Sequence, residues 1–160
     1  MRILARPSCI ALLALLAASP GHALSFTVSG GWSLTVGTSD LAGPAGSGLE
    51  PQYQSAANAV LVDISGALLD TEPWTVTIHR VDVSWDGSLS LSMARTSEGL
   101  GAGSISGGLT LQPLTLTAQT LFQGTGNRSS IQLQLELDGV SVSIGSRILA
   151  AQVVFTLLDT

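Results

Sequence analysis

Residues 131–138 read Ile-Gln-Leu-Gln-Leu-Glu-Leu-Asp. Ile131, Leu133, Leu135 and Leu137 alternate with Gln132, Gln134, Glu136 and Asp138. In extended chain, successive side chains point to opposite faces, so a period of two makes one apolar face and one polar face. This stretch is therefore a half-buried β-strand. Asp138-Gly139 marks a turn or bulge, and Val140, Val142 and Ile144 continue in the opposite phase.

The same pattern extends in both directions. Residues 150–158 carry Val153, Val154, Phe155, Leu157 and Leu158 on both parities, as in a strand that is central or buried on both faces. Upstream, Val60, Val62 and Ile64 share a phase. Trp74, Val76 and Ile78 share another, and Val81, Val83 and Trp85 take the opposite parity, so a bulge or bend is expected at His79-Arg80. Asp86-Gly87 and the row Leu89, Leu91, Met93 complete what reads as a hairpin from Trp74 to Met93. Residues 109–117 alternate with a phase change at Gln112-Pro113, where proline favours a sheet edge. A short strand is expected near Thr120–Phe122, and Gly124-Thr125-Gly126-Asn127 is a turn. No segment beyond residue 23 has a helical period. The expected fold is an all-β antiparallel sandwich, immunoglobulin-like or pilin-like, with about eight strands.

Leu24, Phe26, Val28, Trp32, Leu34 and Val36 form one apolar row, with Gly30 as its only gap. Residues 24–40 thus hold an N-terminal amphipathic strand, or two strands divided at Gly30-Gly31. Residues 41–58, with Gly43-Pro44-Ala45-Gly46-Ser47-Gly48 and Pro51, lack any period and read as a linker or functional loop. Residues 59–160 form the sandwich body.

Residues 1–23 have the features of a secretory signal peptide. Arg2 and Arg6 supply the basic region, Ile10–Ala18 the apolar one, and Gly21-His22-Ala23 small residues at the cleavage-reading positions. The apolar run is too short to span a bilayer, so no membrane span is expected after signal removal. Cys9 is the sole cysteine and lies in this segment, so a mature chain has no disulfide and depends on core packing and backbone pairing. The mature chain keeps four arginines against eleven acids, a net charge of −7, with no lysine. It has no basic surface to neutralise phosphates, and nucleic acid is not an expected partner.

Chemistry-bearing constellations are sparse. His79 is the one histidine beyond residue 23, and Asp82 three residues on falls on the opposite strand face. No serine sits in a Gly-x-Ser-x-Gly elbow, so no catalytic residues are assigned and an enzyme is not expected. Zinc needs several His or Cys ligands. Asp82 with Asp86, and Asp63 with Asp70 and Glu72, match no calcium-loop signature and read as solvated turn carboxylates. Neither a metal site nor a cofactor is expected. Gly101-Ala102-Gly103 resembles part of a phosphate loop, but the third glycine is misplaced and no helix follows, so it reads as a flexible segment within Glu98–Gly108. Asn127-Arg128-Ser129 matches the glycosylation triplet without more to support it. Trp32, Trp74 and Trp85 lie in apolar phases and are expected in the core; Tyr53, in the patternless loop, is the candidate for an exposed binding aromatic.

The signal peptide, the N-terminal alternating strand, the Ser/Thr/Gly-rich body and the ending Val153-Val154-Phe155-Thr156-Leu157 resemble secreted bacterial pilin-type subunits, nearest the fimbrial and spore-coat-U-like group. The resemblance implies a structural role in surface fibres, assembly with a periplasmic chaperone and an outer-membrane usher, and no catalytic residues. The expected function is a secreted, non-enzymatic structural or adhesive subunit of a cell-surface fibre or coat, located in the periplasm or at the cell surface. Strand donation to other copies or related subunits would use Phe26, Val28, Trp32, Leu34 and Val36 as pocket fillers, with Gly30 at the empty position. The alternative is a monomeric extracellular or periplasmic binding module for glycans or proteins, using Tyr53 and the loops Leu41–Asn58 and Glu98–Gly108.

Overall fold

The computed structural model describes residues 2–8, 23–44 and 46–160. Cys9, the apolar stretch Ile10–Ala18 and positions 21–22 of the expected leader lie outside the described residues. Twelve strands follow in order: β1 (Arg2–Ser8), β2 (Ser25–Gly30), β3 (Trp32–Thr35), β4 (Gln52–Gln54), β5 (Val60–Ser65), β6 (Pro73–Ser84), β7 (Ser90–Arg95), β8 (Ile105–Gly107), β9 (Gln112–Pro113), β10 (Gln119–Thr125), β11 (Arg128–Asp138) and β12 (Ile148–Asp159). The fold is an all-β sandwich. One sheet has the order β3-β1-β12-β6-β10-β8; the other has β2-β5-β11-β7-β9, with β4 also paired to β11. All pairings are antiparallel except β1 with β12.

The alternation sets the core. Ile131, Leu133, Leu135 and Leu137 of β11 are buried, as are Val60, Val62 and Ile64 of β5 and Leu91 and Met93 of β7. They meet Trp74, Val76 and Ile78 of β6 and Val153 and Phe155 of β12 from the opposite layer in one cluster. Fully burying such a side chain contributes about 1.5–3 kcal/mol, and with no thiol in these strands this packing is the main stabilising term. β12 lies between β1 and β6, as its two-sided apolar composition predicts. Leu121 and Phe122 are adjacent and both buried because the β10–β6 register shifts between Thr120 and Phe122.

Where the sequence predicts a hairpin from Trp74 to Met93, the structure has an arch. β6 belongs to one sheet and β7 to the other, and no two strands consecutive in the chain pair with each other. The Asp86-Gly87 turn forms, with the Asp86 carboxylate accepting from the Ser88 backbone N–H at 2.9 Å and the Asp86 carbonyl from Leu89 N–H at 3.0 Å. It carries the chain between layers. Both sides of β6 are taken by β12 and β10 and both sides of β7 by β11 and β9, so the two strands have no free edge for each other and the turn joins the layers. The β6–β12 ladder runs unbroken past His79 and Arg80, and its irregularity falls near Val83. Val81 and Val83 are exposed rather than turned inward. Residues 109–117 yield only the two-residue edge strand β9, with Leu114 buried and Leu109, Leu111 and Leu116 exposed. Val142–Ile144 is a single turn of 3-10 helix instead of a strand.

The Gly-rich stretch after β7 is held by backbone packing. Gly99, Gly101 and Gly103 have φ of +70°, +136° and +91°, and a Cβ on them would collide with the carbonyl oxygens of Ser129, Asn127 and Thr125 in turn. The spacing of two is thus the footprint of a chain lying edge to edge against residues 125–129. Two buried arginines tie its end across the layers: Arg128 donates to the Gly103 carbonyl at 2.6 Å and Arg95 Nε to that of Gly107 at 3.0 Å. Burial lowers the Arg95 pKa; Glu98 works against this and Arg128 with it.

Candidate functional site

The N-terminal apolar row divides at Gly30-Gly31 and follows the edges of both sheets. In β2, Phe26 stands opposite Ile64 and Val28 opposite Val62 of β5, in the second sheet. In β3, Trp32 stands opposite Ala5 and Leu34 opposite Ile3 of β1, in the first. Gly30, at φ +97°, has no room for a Cβ because the Ala59 carbonyl lies against it, and Gly31 N–H donates to that same carbonyl at 2.8 Å. The empty position in the row is therefore the point where the chain changes layer. Phe26, Val28, Trp32 and Leu34 are partly buried against the core, and Val36 belongs to it. The structure brings all of these residues to one side of the sandwich, in two strands rather than one.

The sequence places residues 1–23 outside the folded body, yet Arg2–Ser8 forms a strand between β3 and β12. It pairs antiparallel with Trp32–Thr35 and parallel with Ile148–Val154. Among the described residues, the hydrogen-bonded strand neighbour of β3 is therefore β1 alone.

The polar residues singled out in the sequence serve turns and pairings. Asp82 is ion-paired to Arg80 at 2.6 Å rather than directed to His79, and the Arg80 guanidinium lies 4.8 Å from the Trp85 ring centre. Asp63 accepts from Ser130 N–H at 2.7 Å, which holds Ser130 at a φ of +56°. Glu72 accepts from Leu68 N–H at 2.7 Å. Asp86 binds Arg147. Among the described residues no three His, Cys, Asp or Glu side chains gather as a metal site would need. The Asn127 amide both accepts from and donates to the Ala67 backbone, at 2.9 and 3.0 Å, and so pins the β5–β6 connection. Trp74 is fully buried, while Trp32 and Trp85 pack partly buried on the core's rim.

Two features were not singled out in the sequence. The first is a polar ladder on the outer face of the second sheet. Glu136 stands between Gln54 and Ser92, and Asp138 between Gln52 and Ser90. Gln54 Nε2 donates to Glu136 at 2.5 Å, and Glu136 is buried. The Asp138 pKa is raised by burial and by the Glu136 carboxylate, against a lowering hydrogen bond with Gln52. A raised folded-state pKa favours the protonated acid. Its contribution is full below the usual aspartate value near ~3.9 and is lost as pH rises through the folded value. Asp138→Asn should raise the melting temperature at pH 7 by a few degrees and leave it unchanged near pH 3. A gain of equal size at both pH values would show that charge is not the cause. The i, i+2 spacing made a shared face legible; the burial of Glu136 was not.

The second feature is an open cleft of about 330 Å³ at one end of the sandwich, walled by Val36, Leu41, Leu49 and Val142 with Thr38, Ser141 and Ser146 at its polar points. Residues of the Leu41–Asn58 loop line it, and those of Glu98–Gly108 do not. Tyr53 is not displayed for binding. It sits in β4 opposite Leu137, partly buried against the core, with its hydroxyl enclosed and without a hydrogen-bond partner. Burial, with Asp40 and Glu50 adding to it, raises its pKa.

Comparison with known protein families, with curated proteins and with solved structures finds no match.

Proposed function

We propose that this chain is a secreted, non-enzymatic β-sandwich that serves as a structural or adhesive subunit of a cell-surface fibre or coat, assembled through backbone pairing by its N-terminal segment. The observation that carries this reading is the path of Ser25–Thr35. It occupies the edges of two different sheets, β2 paired on one side with β5 and β3 paired on one side with β1, the segment Arg2–Ser8. Edge strands present unpaired N–H and C=O groups to other chains, and an edge segment can be exchanged between copies without dismantling the centre of either sheet. A head-to-tail exchange does not close and so builds filaments. The apolar faces of the segment suit pairing, and the absence of lysine removes a common edge protector.

The test is light scattering on residues 24–160 and on residues 41–160, with circular dichroism on both. Long assemblies from the first and folded monomers from the second are the expected result. A clean monomer that unfolds on truncation would assign the segment to its own sandwich and overturn the reading. A second reading, a monomeric binding module, is supported by the cleft beside Leu41 and Leu49; its aliphatic walls suit an apolar ligand better than a glycan.

A further inference from the structure

We propose that Arg95 and Arg128 form a buried receptor for a small oxyanion, a phosphate, sulfate or carboxylate group held between their guanidiniums at the end of the sandwich bordered by Glu98–Gly108. The site is independent of the assembly reading above and uses none of its residues.

Residues 24–160 carry four arginines and no lysine. Arg80 pairs with Asp82 and Arg147 with Asp86. Among the described residues no carboxylate stands within ion-pair distance of Arg95 or Arg128. Both are nevertheless buried, at 3% and 8% exposed. A lone buried cation is strongly disfavoured, and most side chains escape by changing protonation state. Arginine stays charged in proteins, so that escape is closed and a counter-ion is the remaining one.

The fold brings the two charges together. Arg95 ends β7, two residues on from the buried Met93, and Arg128 opens β11 opposite the buried Ile64. Both start from the second sheet and reach across to the same short stretch around β8. Arg128 Nη2 donates to the Gly103 carbonyl at 2.6 Å, and Arg95 Nε to the Gly107 carbonyl at 3.0 Å. Gly108 lets the backbone come this close. A Cβ there would lie 3.2 Å from Arg95 Cβ and 3.3 Å from Phe122 Cβ. These hydrogen bonds fix each guanidinium and occupy one nitrogen of each. Nη1 of Arg95 and Nε of Arg128 remain enclosed and without a partner. Each unmade bond leaves a charged donor desolvated for no return. Arg128 also acts on Arg95 as a like charge, which an anion between them would offset.

The donors select the ligand. Planar guanidiniums held in fixed orientation match the oxygens of carboxylate, phosphate and sulfate and form their strongest hydrogen bonds with them. Arg95 is followed by the exposed Thr96, and Arg128 lies between the exposed Asn127 and Ser129. The site is thus one residue below the surface, which suits a single anionic group rather than a polymer. Glu98, exposed three residues beyond Arg95, acts on it through space without an ion pair, and so competes with an incoming anion.

The test is calorimetric titration of the full chain with inorganic phosphate, sulfate, acetate and chloride at matched ionic strength, with urea unfolding of the same samples. Two charge-assisted hydrogen bonds set the expected dissociation constant on the order of 1 mM. Phosphate at about ten times that value should raise the folded-to-unfolded ratio roughly tenfold. Arg95→Met and Arg128→Met should each abolish the response, while Arg147→Met, at an ion pair elsewhere, should keep it. Should a methionine variant fail to fold, Arg95→Lys retains the charge without the planar fork and should weaken binding by roughly tenfold or more. Glu98→Gln should tighten it. Preference for phosphate and sulfate over acetate assigns the site to a tetrahedral anion, and the reverse preference to a carboxylate group. A response equal for chloride, or unchanged in the Arg95 and Arg128 variants, is salt screening and overturns the site. Absence of saturable heat overturns it as well. If Glu98→Gln destabilises the anion-free chain as much as Arg95→Met does, Glu98 is the counter-ion and the external ligand is refuted.

Discussion

Replacing Trp74 with alanine is expected to lower the stability of the domain by about 3–5 kcal/mol, the range for deleting a buried tryptophan side chain. Trp74 is 1% exposed, meets Phe122 edge-on with ring centres 6.2 Å apart, and donates its indole N–H to the Gly126 carbonyl at 2.8 Å. The substitution removes a large apolar surface, an aromatic pair and the partner of a carbonyl. A loss of this size corresponds to a melting temperature lower by on the order of 10–20 °C for a domain of this length. Trp74→Phe separates the contributions. It keeps most of the apolar surface and loses the hydrogen bond, so it should cost roughly 1–2 kcal/mol. Gly124 supplies a second check, because a Cβ there would meet the Trp74 ring at 2.5 Å. Gly124→Ala should be destabilising in the parent and less so beside Trp74→Ala, since the ring is gone; the Ser104 carbonyl, also in its way, keeps the rescue partial. Fully additive costs in the double variant would show that glycine and indole do not share this space.

The same residues show how much of the fold is legible in the sequence. The alternation of Trp74, Val76 and Ile78 is a local property, and it named the inward face correctly, as it did for Ile131 to Leu137. Which strand lies beside which is not local. Asp86-Gly87 specifies a tight turn whether the chain returns within a sheet or crosses to the facing one, and the inward rows on both sides agree with either. The structure takes the crossing, and every pairing joins strands that are not consecutive in the chain. Short strands escape for another reason. β4, β8 and β9 have two or three residues each, too few for a period to register. The glycines at 99, 101 and 103 suggest a loose loop because their close neighbours lie more than twenty residues away.

At the N-terminus the legible part is the row itself. Six apolar residues and one gap are visible from Leu24 to Val36, and a division at Gly30-Gly31 is one of the two readings the sequence allows, the other being a single unbroken strand. That the halves enter different sheets depends on β5 offering an edge beside β2, which no local pattern encodes. The place of Arg2–Ser8 beside β12 was hidden for a different reason. Basic and apolar composition makes the segment read as an export leader rather than a strand, while Ile148–Val154, its partner, is in the last strand of the chain. Tyr53 illustrates the opposite error: a residue in an unpatterned stretch turns inward because three residues around it pair with the end of β11.

The substitution Leu34→Glu is expected to abolish assembly of the mature chain while the body keeps its fold. Leu34 lies in a four-residue strand at the sheet's edge, partly buried against the core, and its cross-strand neighbour is residue 3. In an isolated chain of residues 24–160 β3 has lost that neighbour, and a carboxylate at position 34 can reach water by local fraying. Melting should then fall by only a few degrees. In an assembled chain the same carboxylate would lie against an inserted strand with no cation opposite, and burying an unpaired charge costs several kcal/mol. A cost of about 3 kcal/mol per contact is more than a hundredfold in each association step, enough to end growth. Leu34→Met keeps the apolar volume and should assemble like the parent, and Trp32→Glu should behave as Leu34→Glu does. The decisive comparison is between scattering mass and the far-ultraviolet melting curve of the same samples. Loss of assembly with an intact melting transition places Leu34 in an intermolecular contact. If melting and assembly fail together, β3 is a structural strand of its own domain and contributes nothing to contacts between copies.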